Sequence, residues 1–469
     1  MSEERRLGTF DATMLVMGGM IGVGIFFTPS DVARALPTPE LFLGAWTIGA
    51  VVALCGAFTF AELGASIPKS GGWFVFLHQA FGRFAAFLFA WTILGVTTTA
   101  AVAVICDFAA SFGLGLVSES VDPMTRFGVA AVLIVVLNGL ALSGLVVGAR
   151  FQNFCMLTKL TAIAALLAGA LAFALPGSTG QTLQATSRAM PNSTLEMIAA
   201  GLLPVFFSYG GWQNVCYVAP AVRDPVRSLP KAILIGTVAV GLVYIACNVT
   251  FVLAIGVDGL ASNKGFSTDL AQAALGSGFE RALRAAMTVS AVGVALVTIL
   301  VCPDLYVATA RAGLFFRRFE RRHPRTGAPV IAIVLQTILA LAYLTWAHAQ
   351  TLFALEGDPE RMDPDKLLRA LVFAEWIFHA GAALALLQLR RRGGLPRPFR
   401  MPLWPLPTLV YLGVAILIVV ANVWSSLFGT GSARPELGLG VLAAGAVTYF
   451  FWQRRSPSAP DDEDSLSDS

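Results

Sequence analysis

Charged side chains are scarce in this sequence. Only 13% of its 469 residues are Asp, Glu, Lys or Arg, while 56% are hydrophobic; an ordinary soluble protein carries roughly 25% charged residues. That deficit excludes a soluble globular chain and leaves an integral membrane protein. Histidine is scarcer still: His78, His323, His348 and His379 are scattered, so no histidine metal site is expected. The six cysteines (Cys55, Cys106, Cys155, Cys216, Cys247 and Cys302) form no CxxC pair and lie in or beside apolar runs, where they read as small buried hydrophobes. A glycine-lysine phosphate loop and a nucleophile elbow are both missing, which argues against an ATP-driven pump carried on this chain. No cofactor and no metal are expected, and the reading is of a non-enzyme. No cleavable leader is expected: Met1–Arg6 is charged, but the run that follows has no small-residue cleavage site and reads as continuing into a span.

What the chain has in quantity is apolar runs. At roughly 20 residues per span, they fall at 11–36, 41–66, 84–112, 127–148, 154–175, 196–221, 232–256, 284–306, 329–349, 368–389, 403–427 and 436–452, about twelve transmembrane helices. The fold class is therefore all-α integral membrane, one transmembrane domain over 11–427 and 436–452, with residues 1–10 as a cytoplasmic N-terminus. Arginine and lysine alternate between loops. Arg5, Arg6, Arg83, Arg150, Arg223, Arg227, Lys231, the cluster Arg311 to Arg325, Arg390 to Arg392, Arg397, Arg400, Arg454 and Arg455 fall on one set. The other set holds few, such as Arg188, Lys264 and Arg361, with Glu119, Asp122, Asp358 and Asp363. The positive-inside rule then puts both termini in the cytoplasm and requires an even number of spans. The net charge of +4 follows this topology and does not point to nucleic acid. Residues 456–469 are acidic and without apolar periodicity, and read as a disordered cytoplasmic tail.

Two runs are interrupted. Gly18, Gly19, Gly22 and Gly24 fall in the middle of the first, each costing about 1 kcal/mol against alanine in a helix interior. Gly18 and Gly22 form a GxxxG pair, which alone would mean helix packing. The sixth run has a matching break, Phe207-Ser208-Tyr209-Gly210-Gly211-Trp212-Gln213-Asn214. If the first ten spans form two five-helix repeats of opposite orientation (spans 1–5 over about 11–175, spans 6–10 over about 196–389, with spans 11–12 following), the breaks fall at equivalent places. Paired, glycine-interrupted spans of that kind point to a secondary transporter's substrate site. A half-helix N-terminus offers N–H groups to an anion and unwound carbonyls accept from a cation, which together suit a zwitterion.

These stretches resemble a known family. Gly18-Gly19-Met20-Ile21-Gly22-Val23-Gly24-Ile25-Phe26 is similar to the span-1 signature of the amino acid–polyamine–organocation (APC) transporter superfamily. Phe60-Ala61-Glu62-Leu63-Gly64 with Ile67-Pro68-Lys69-Ser70-Gly71-Gly72 resembles its span 2 and first internal loop. Asn138-Gly139, Gln152-Asn153 and Lys159 are similar to its span 4–5 junction. Phe207 to Trp212, with Asp224-Pro225 and Leu229-Pro230-Lys231-Ala232, resembles span 6 of the L-type amino acid transporter branch. The resemblance covers residues 10 to about 330 and implies a leucine-transporter-type 5+5 inverted-repeat fold and alternating access. Carried over by motif, it implies that the amides of Gly22, Val23 and Gly24 meet a substrate carboxylate and the carbonyls of Met20, Phe207 and Gly210 its ammonium. Ile21 lies within the same unwound stretch. Phe207 is then an aromatic lid, Ser208 and Tyr209 shape the pocket, and Trp212 and Gln213 form its far side. Val23 stands where the family usually has serine, and Met20 where it often has a β-branched aliphatic.

Ionisable groups at membrane depth are functional candidates by default. Lys159 stands early in the fifth run; the resemblance implies that it replaces a sodium ion beside the span-1 break, and an ammonium there could also take part in proton coupling. For Glu62 a structural role, accepting from nearby loop N–H groups, outweighs proton carriage. Asp107, Asp304 and Glu375 are weaker candidates, and Asn138 and Asn248 read as interhelical hydrogen-bond partners. The expectation is a sodium-independent amino acid exchanger in the cell membrane. Neutral substrates are favoured because the matched pocket segments hold no anionic residue, and the family implies small ones such as alanine and serine. The alternatives are a proton-coupled symporter, a basic amino acid or polyamine antiporter, and a non-transporting sensor or channel. Eukaryotic L-type members form a disulfide with a single-span glycoprotein through a cysteine between spans 3 and 4; the corresponding stretch here, about Gly113 to Arg126, has no cysteine, so no disulfide-linked heavy chain is expected.

Overall fold

The first apolar run is not one helix. In the computed structural model, which describes residues 7–118, 121–174, 194–262, 265–349, 364–427 and 435–455, α1 (Thr9–Met20) stops at Ile21. A single 3-10 turn (Val23–Phe26) follows, and α2 (Thr28–Ala35) resumes with Pro29 at its start. The sixth run is divided in the same way into α9 (Thr194–Tyr209) and a 3-10 stretch, Trp212–Ala221. The helices between and after them are α3 (Pro39–Ser66), α4 (Trp73–Phe81), α5 (Arg83–Thr92), α6 (Thr98–Leu114), α7 (Pro123–Leu142), α8 (Leu145–Ala174), α10 (Pro225–Ser262), α11 (Phe266–Leu275), α12 (Ser277–Val301), α13 (Pro303–Arg311), α14 (Val330–Ala347), α15 (Pro364–Arg392), α16 (Leu406–Leu427) and α17 (Pro435–Arg455).

Among the described residues, eight helices are long and apolar enough to cross a membrane. The chain has no strand there beyond one isolated bridge, Leu7 to Val222. That bridge is structural: the Leu7 N–H donates to Ala221 O (2.8 Å) and the Arg223 N–H to Leu7 O (2.9 Å), tying the start of the first broken run to the end of the second. The acidic tail and the Arg188, Lys264 and Arg361 positions lie outside the described residues.

One junction falls elsewhere than the polar residues indicate. The turn between the fourth and fifth runs is at Ser143–Gly144, where Gly144 has φ +106, and Arg150, Gln152 and Asn153 lie inside α8. Gln152 and Asn153 are polar because of what they face. The Asn153 amide donates to Asp11 Oδ1 at the foot of α1 (2.7 Å), and Gln152 is buried against Gly18.

The interior follows from this order. α3 packs along α10, and α1 lies among α8, α10 and α12. Between α5 and α6 the chain makes a π turn, Ile93–Thr97. A π turn frees backbone carbonyls, and two are taken up by tyrosines from other helices: Tyr306 Oη donates to Leu94 O (3.0 Å) and Tyr343 Oη to Gly95 O (3.2 Å).

Candidate functional site

The two interrupted runs meet backbone to backbone. α1 ends because Ile21 (φ −77, ψ 91) and Gly22 (φ −96, ψ −165) are extended. α9 ends at Tyr209, and Gly211 takes φ +119, a conformation that L side chains avoid. Space closes the same position: a Cβ on Gly211 would lie 2.6 Å from Gly19 O and 2.7 Å from Gly19 C. The surroundings of Gly22 and Gly24 are roomier. A Cβ on Gly24 would stand 3.4 Å from Ser208 Oγ and Thr28 Oγ1, and one on Gly22 only 3.8 Å from its nearest neighbours, Gly24 N and Val294 Cγ2. Gly24 and Ser208 thus face one another across the two breaks. Phe207, one residue before Ser208, is 47% exposed.

Main-chain groups freed by the first break find unusual partners. The Ile21 N–H closes α1 on Met17 O (2.7 Å), and the Gly22 N–H turns back onto Met20 O (2.9 Å). Met20 O also accepts from Tyr244 Oη of α10 (2.9 Å). The Lys159 ammonium of α8, only 1% exposed, donates to Ile21 O, so Lys159 is turned inward onto the break and not towards the membrane surface. Val23 and Gly24 open the 3-10 turn, and the first N–H groups of such a turn have no carbonyl behind them to accept. Those two donors therefore remain for something outside the helix.

The second break is braced by side chains. The Gly211 N–H donates to Gln213 Oε1 (3.1 Å), and Gln213 Nε2 reaches Glu375 Oε1 of α15 (3.4 Å). The Ser208 hydroxyl donates to Pro204 O (3.0 Å). Tyr209 donates to Trp46 O (3.1 Å) with its ring against Tyr244, centroids 5.1 Å apart. Trp212 is buried in an aromatic cluster with His379 and Tyr411, in room left by Gly56, where a Cβ would come within 2.7 Å of the indole.

Glu62 belongs to a different arrangement. It is fully buried and takes a two-pronged ion pair from Arg390, together with the Met401 N–H (3.1 Å). Removing one member of such a pair leaves an uncompensated buried charge. Arg390→Met is therefore expected to cost about 3–5 kcal/mol of stability, read as a lowered thermal-unfolding midpoint of the detergent-solubilised protein. Asp107 pairs with Arg126 and His348, and Asp304 with Arg322 and Ser70. Asn138 accepts from Gln336 of α14 (3.2 Å), an interhelical bond, whereas the Asn248 amide donates within its own helix to Tyr244 O (2.8 Å). Tyr244 was not among the sequence candidates. The signal available was a single tyrosine in the otherwise mostly aliphatic run 232–256, and its use depends on a contact 224 positions away.

Comparison with known proteins identifies the family. The amino acid permease family model matches residues 7–442. The chain is 26% identical to the cystine/glutamate transporter of Homo sapiens over 96% of its own length and 85% of that protein. It is 27% identical to the b(0,+)-type amino acid transporter 1 of Rattus norvegicus (91% and 84%), and 24% identical to the large neutral amino acids transporter small subunit 2 of the same species (99% and 84%). With the family matched over nearly the whole chain and two broken helices meeting in a bundle of apolar spans, this protein is a multi-pass membrane protein of the amino acid permease family, an amino acid transporter of the APC superfamily.

Proposed function

We propose that the protein is a sodium-independent exchanger of neutral, small L-amino acids. In this reading it has twelve spans in a 5+5 inverted repeat plus two C-terminal helices, and works by alternating access in the cell membrane with both termini cytoplasmic. The observation that carries the reading is the Lys159 ammonium on the Ile21 carbonyl at the break in span 1. A fixed cation at that place does what a bound sodium ion would do, accepting the lone pair of an unwound carbonyl and holding the helix open. It needs no ion gradient to do so.

The substrate carboxylate is assigned to the amides of Gly22, Val23 and Gly24, the ammonium to the carbonyls of Met20, Phe207 and Gly210. The Gly22 N–H and Met20 O, which are bonded to one another, are groups of opposite polarity. A zwitterion entering here exchanges that single internal bond for one to each of its own ends. Phe207, half-exposed beside Ser208, is assigned to cover the side chain. Neutral substrates are favoured because the segments 18–26 and 207–214 hold no anionic residue, Glu62, Asp107 and Asp304 are each engaged by an arginine, and Glu375 is set behind Gln213. One relative is named as a small subunit; for this chain no covalent partner is proposed, since 113–126 holds no cysteine.

Uptake of labelled alanine into proteoliposomes tests the exchanger directly. Uptake is expected to be strongly stimulated by unlabelled amino acid inside and indifferent to sodium. Uptake that follows a pH gradient without internal substrate would instead establish a proton symporter, and no uptake of any amino acid would remove the transport reading.

A further inference from the structure

Of the carboxylates at membrane depth described so far, Glu375 stands apart. Glu62, Asp107 and Asp304 each meet an arginine, whereas among the described residues Glu375 meets only neutral hydrogen-bonding groups: Gln213 at 3.4 Å and, farther off at 3.9 Å, His379. Its nearer partner is the more informative one. Gln213 is 4% exposed and its amide oxygen takes the Gly211 N–H (3.1 Å). That bond fixes which way the amide points, because the reverse orientation would set an NH2 group against a backbone N–H, donor to donor. The Nε2 end is thereby aimed at Glu375. Gly211 in turn lies against the Gly19 carbonyl with no room for even a methyl group, one residue before Met20.

We propose that Glu375 is a positioning residue for the substrate site: through Gln213 it holds the Gly211 peptide, and through Gly211 the break in the first span. The chain of contact runs from α15, Glu375 to Gln213 to Gly211 to Gly19, and ends where the unwound carbonyls begin. Glu375 touches no substrate in this scheme. What it contributes is an acceptor, which a glutamine at the same place also supplies through its amide oxygen. An alanine supplies none and leaves the buried Gln213 amide free to turn away from Gly211. The proposal rests on the substrate site assigned above, so its test needs one readout that does not depend on transport.

That readout is hydrogen–deuterium exchange of the full-length protein in detergent or nanodiscs, followed on peptides that span Val205 to Val215. Glu375→Ala is expected to speed exchange at the Gly211 amide by about tenfold, the consequence of losing one partly buried hydrogen bond in its support, while Glu375→Gln restores protection. In proteoliposomes the same Ala variant should raise the KM for exchange by a similar factor with the maximal rate changed much less, and Glu375→Gln should return KM towards wild type. Unchanged exchange at Gly211 in Glu375→Ala would overturn the proposal whatever the transport result. A Gln variant as impaired as the Ala variant in both readouts would also overturn it, by showing that the carboxylate's charge and not its acceptor oxygen is needed. If exchange at Gly211 responds as expected but no amino acid is transported even by the wild type, the positioning role stands and the assignment of the substrate is what fails. Should Glu375→Ala not fold, Glu375→Met serves in its place: it keeps a side chain of similar volume, removes the acceptor for Gln213 Nε2 and is expected to speed exchange at the Gly211 amide in the same way, whereas unchanged exchange there would overturn the proposal.

Discussion

Replacing Lys159 by alanine should reduce amino acid exchange by about tenfold to a hundredfold, the range that follows from stripping a buried acceptor of a charged donor, while the protein still folds and inserts. The Lys159 ammonium is buried and bonded to Ile21 O. Ile21 is the residue at which the first span leaves helical geometry, so its carbonyl has no partner further along the helix. Without the ammonium that oxygen must find another donor, and the nearest way to supply one is to rewind the break. Folding is harmed less, because holding an ammonium in the membrane interior is itself costly, and the substitution removes that cost together with the bond. Lys159→Met separates charge from volume: it keeps a side chain of similar length and gives up only the donor. Exchange rates of both variants in proteoliposomes, set beside their thermal-unfolding midpoints, decide the matter. Near-normal exchange in Lys159→Met would remove the sodium-replacement role.

A second large effect is expected at Gly22 and Gly24. Gly22→Leu or Gly24→Leu should abolish substrate binding, a loss beyond about a hundredfold in affinity because a branched side chain would occupy the space in front of the amides. Neither glycine is pressed by its surroundings: a Cβ at either would rest at ordinary contact distance, 3.4 Å or more from any neighbour. These variants are therefore expected to express and melt much like the wild type while failing to bind alanine in a scintillation-proximity assay. Gly211→Ala makes the opposite case. Its φ of +119 and the Gly19 carbonyl 2.6 Å from a built Cβ leave no room for a methyl group, and that variant should lose stability before binding can be asked about. Unaltered alanine binding by Gly22→Leu would show that the carboxylate is held elsewhere.

The contrast shows how the glycine-rich stretch divides. In the sequence Gly18 and Gly22 form a GxxxG pair, and packing and ligand binding compete to explain both. The structure separates the two by how closely each is packed. A Cβ on Gly18 would fall 1.9 Å from Gln152 Nε2 and 3.3 Å from Val297 Cγ2, so Gly18 is a packing glycine that admits α8 and α12. Gly22 has no such neighbour. The two lie one turn apart in number, but the helix ends between them, and the periodicity that would place them on one face ends with it.

The polar residues at the fourth-to-fifth junction misled for a related reason. Arg150, Gln152 and Asn153 read as a loop because polar side chains in a membrane chain usually mark water, yet Gln152 and Asn153 turn inward to Gly18 and Asp11. Glu62 was read as accepting from nearby loop N–H groups. It does accept a backbone N–H, but that of Met401, along with the Arg390 guanidinium, 339 and 328 positions away. Distance along the chain hides such partners, since neither a carboxylate in α3 nor an arginine at the end of α15 names its counterpart.

What the sequence determined by itself was the class of the molecule and the places where its helices fail. Apolar runs in a chain so poor in charge leave only the membrane, because unpaired backbone groups are not tolerated in lipid and helices satisfy them locally. Glycines at 18–24 and 210–211 weaken two of those helices at known positions because the cost is local to each residue. Local costs are legible in order along the chain. The partners of the broken ends were decided only by the tertiary structure: Lys159 on Ile21, Tyr244 on Met20, Glu375 behind Gln213 and Gly211 against Gly19. Each of these joins groups that no periodicity relates, and each is made at or beside a place where a helix is interrupted.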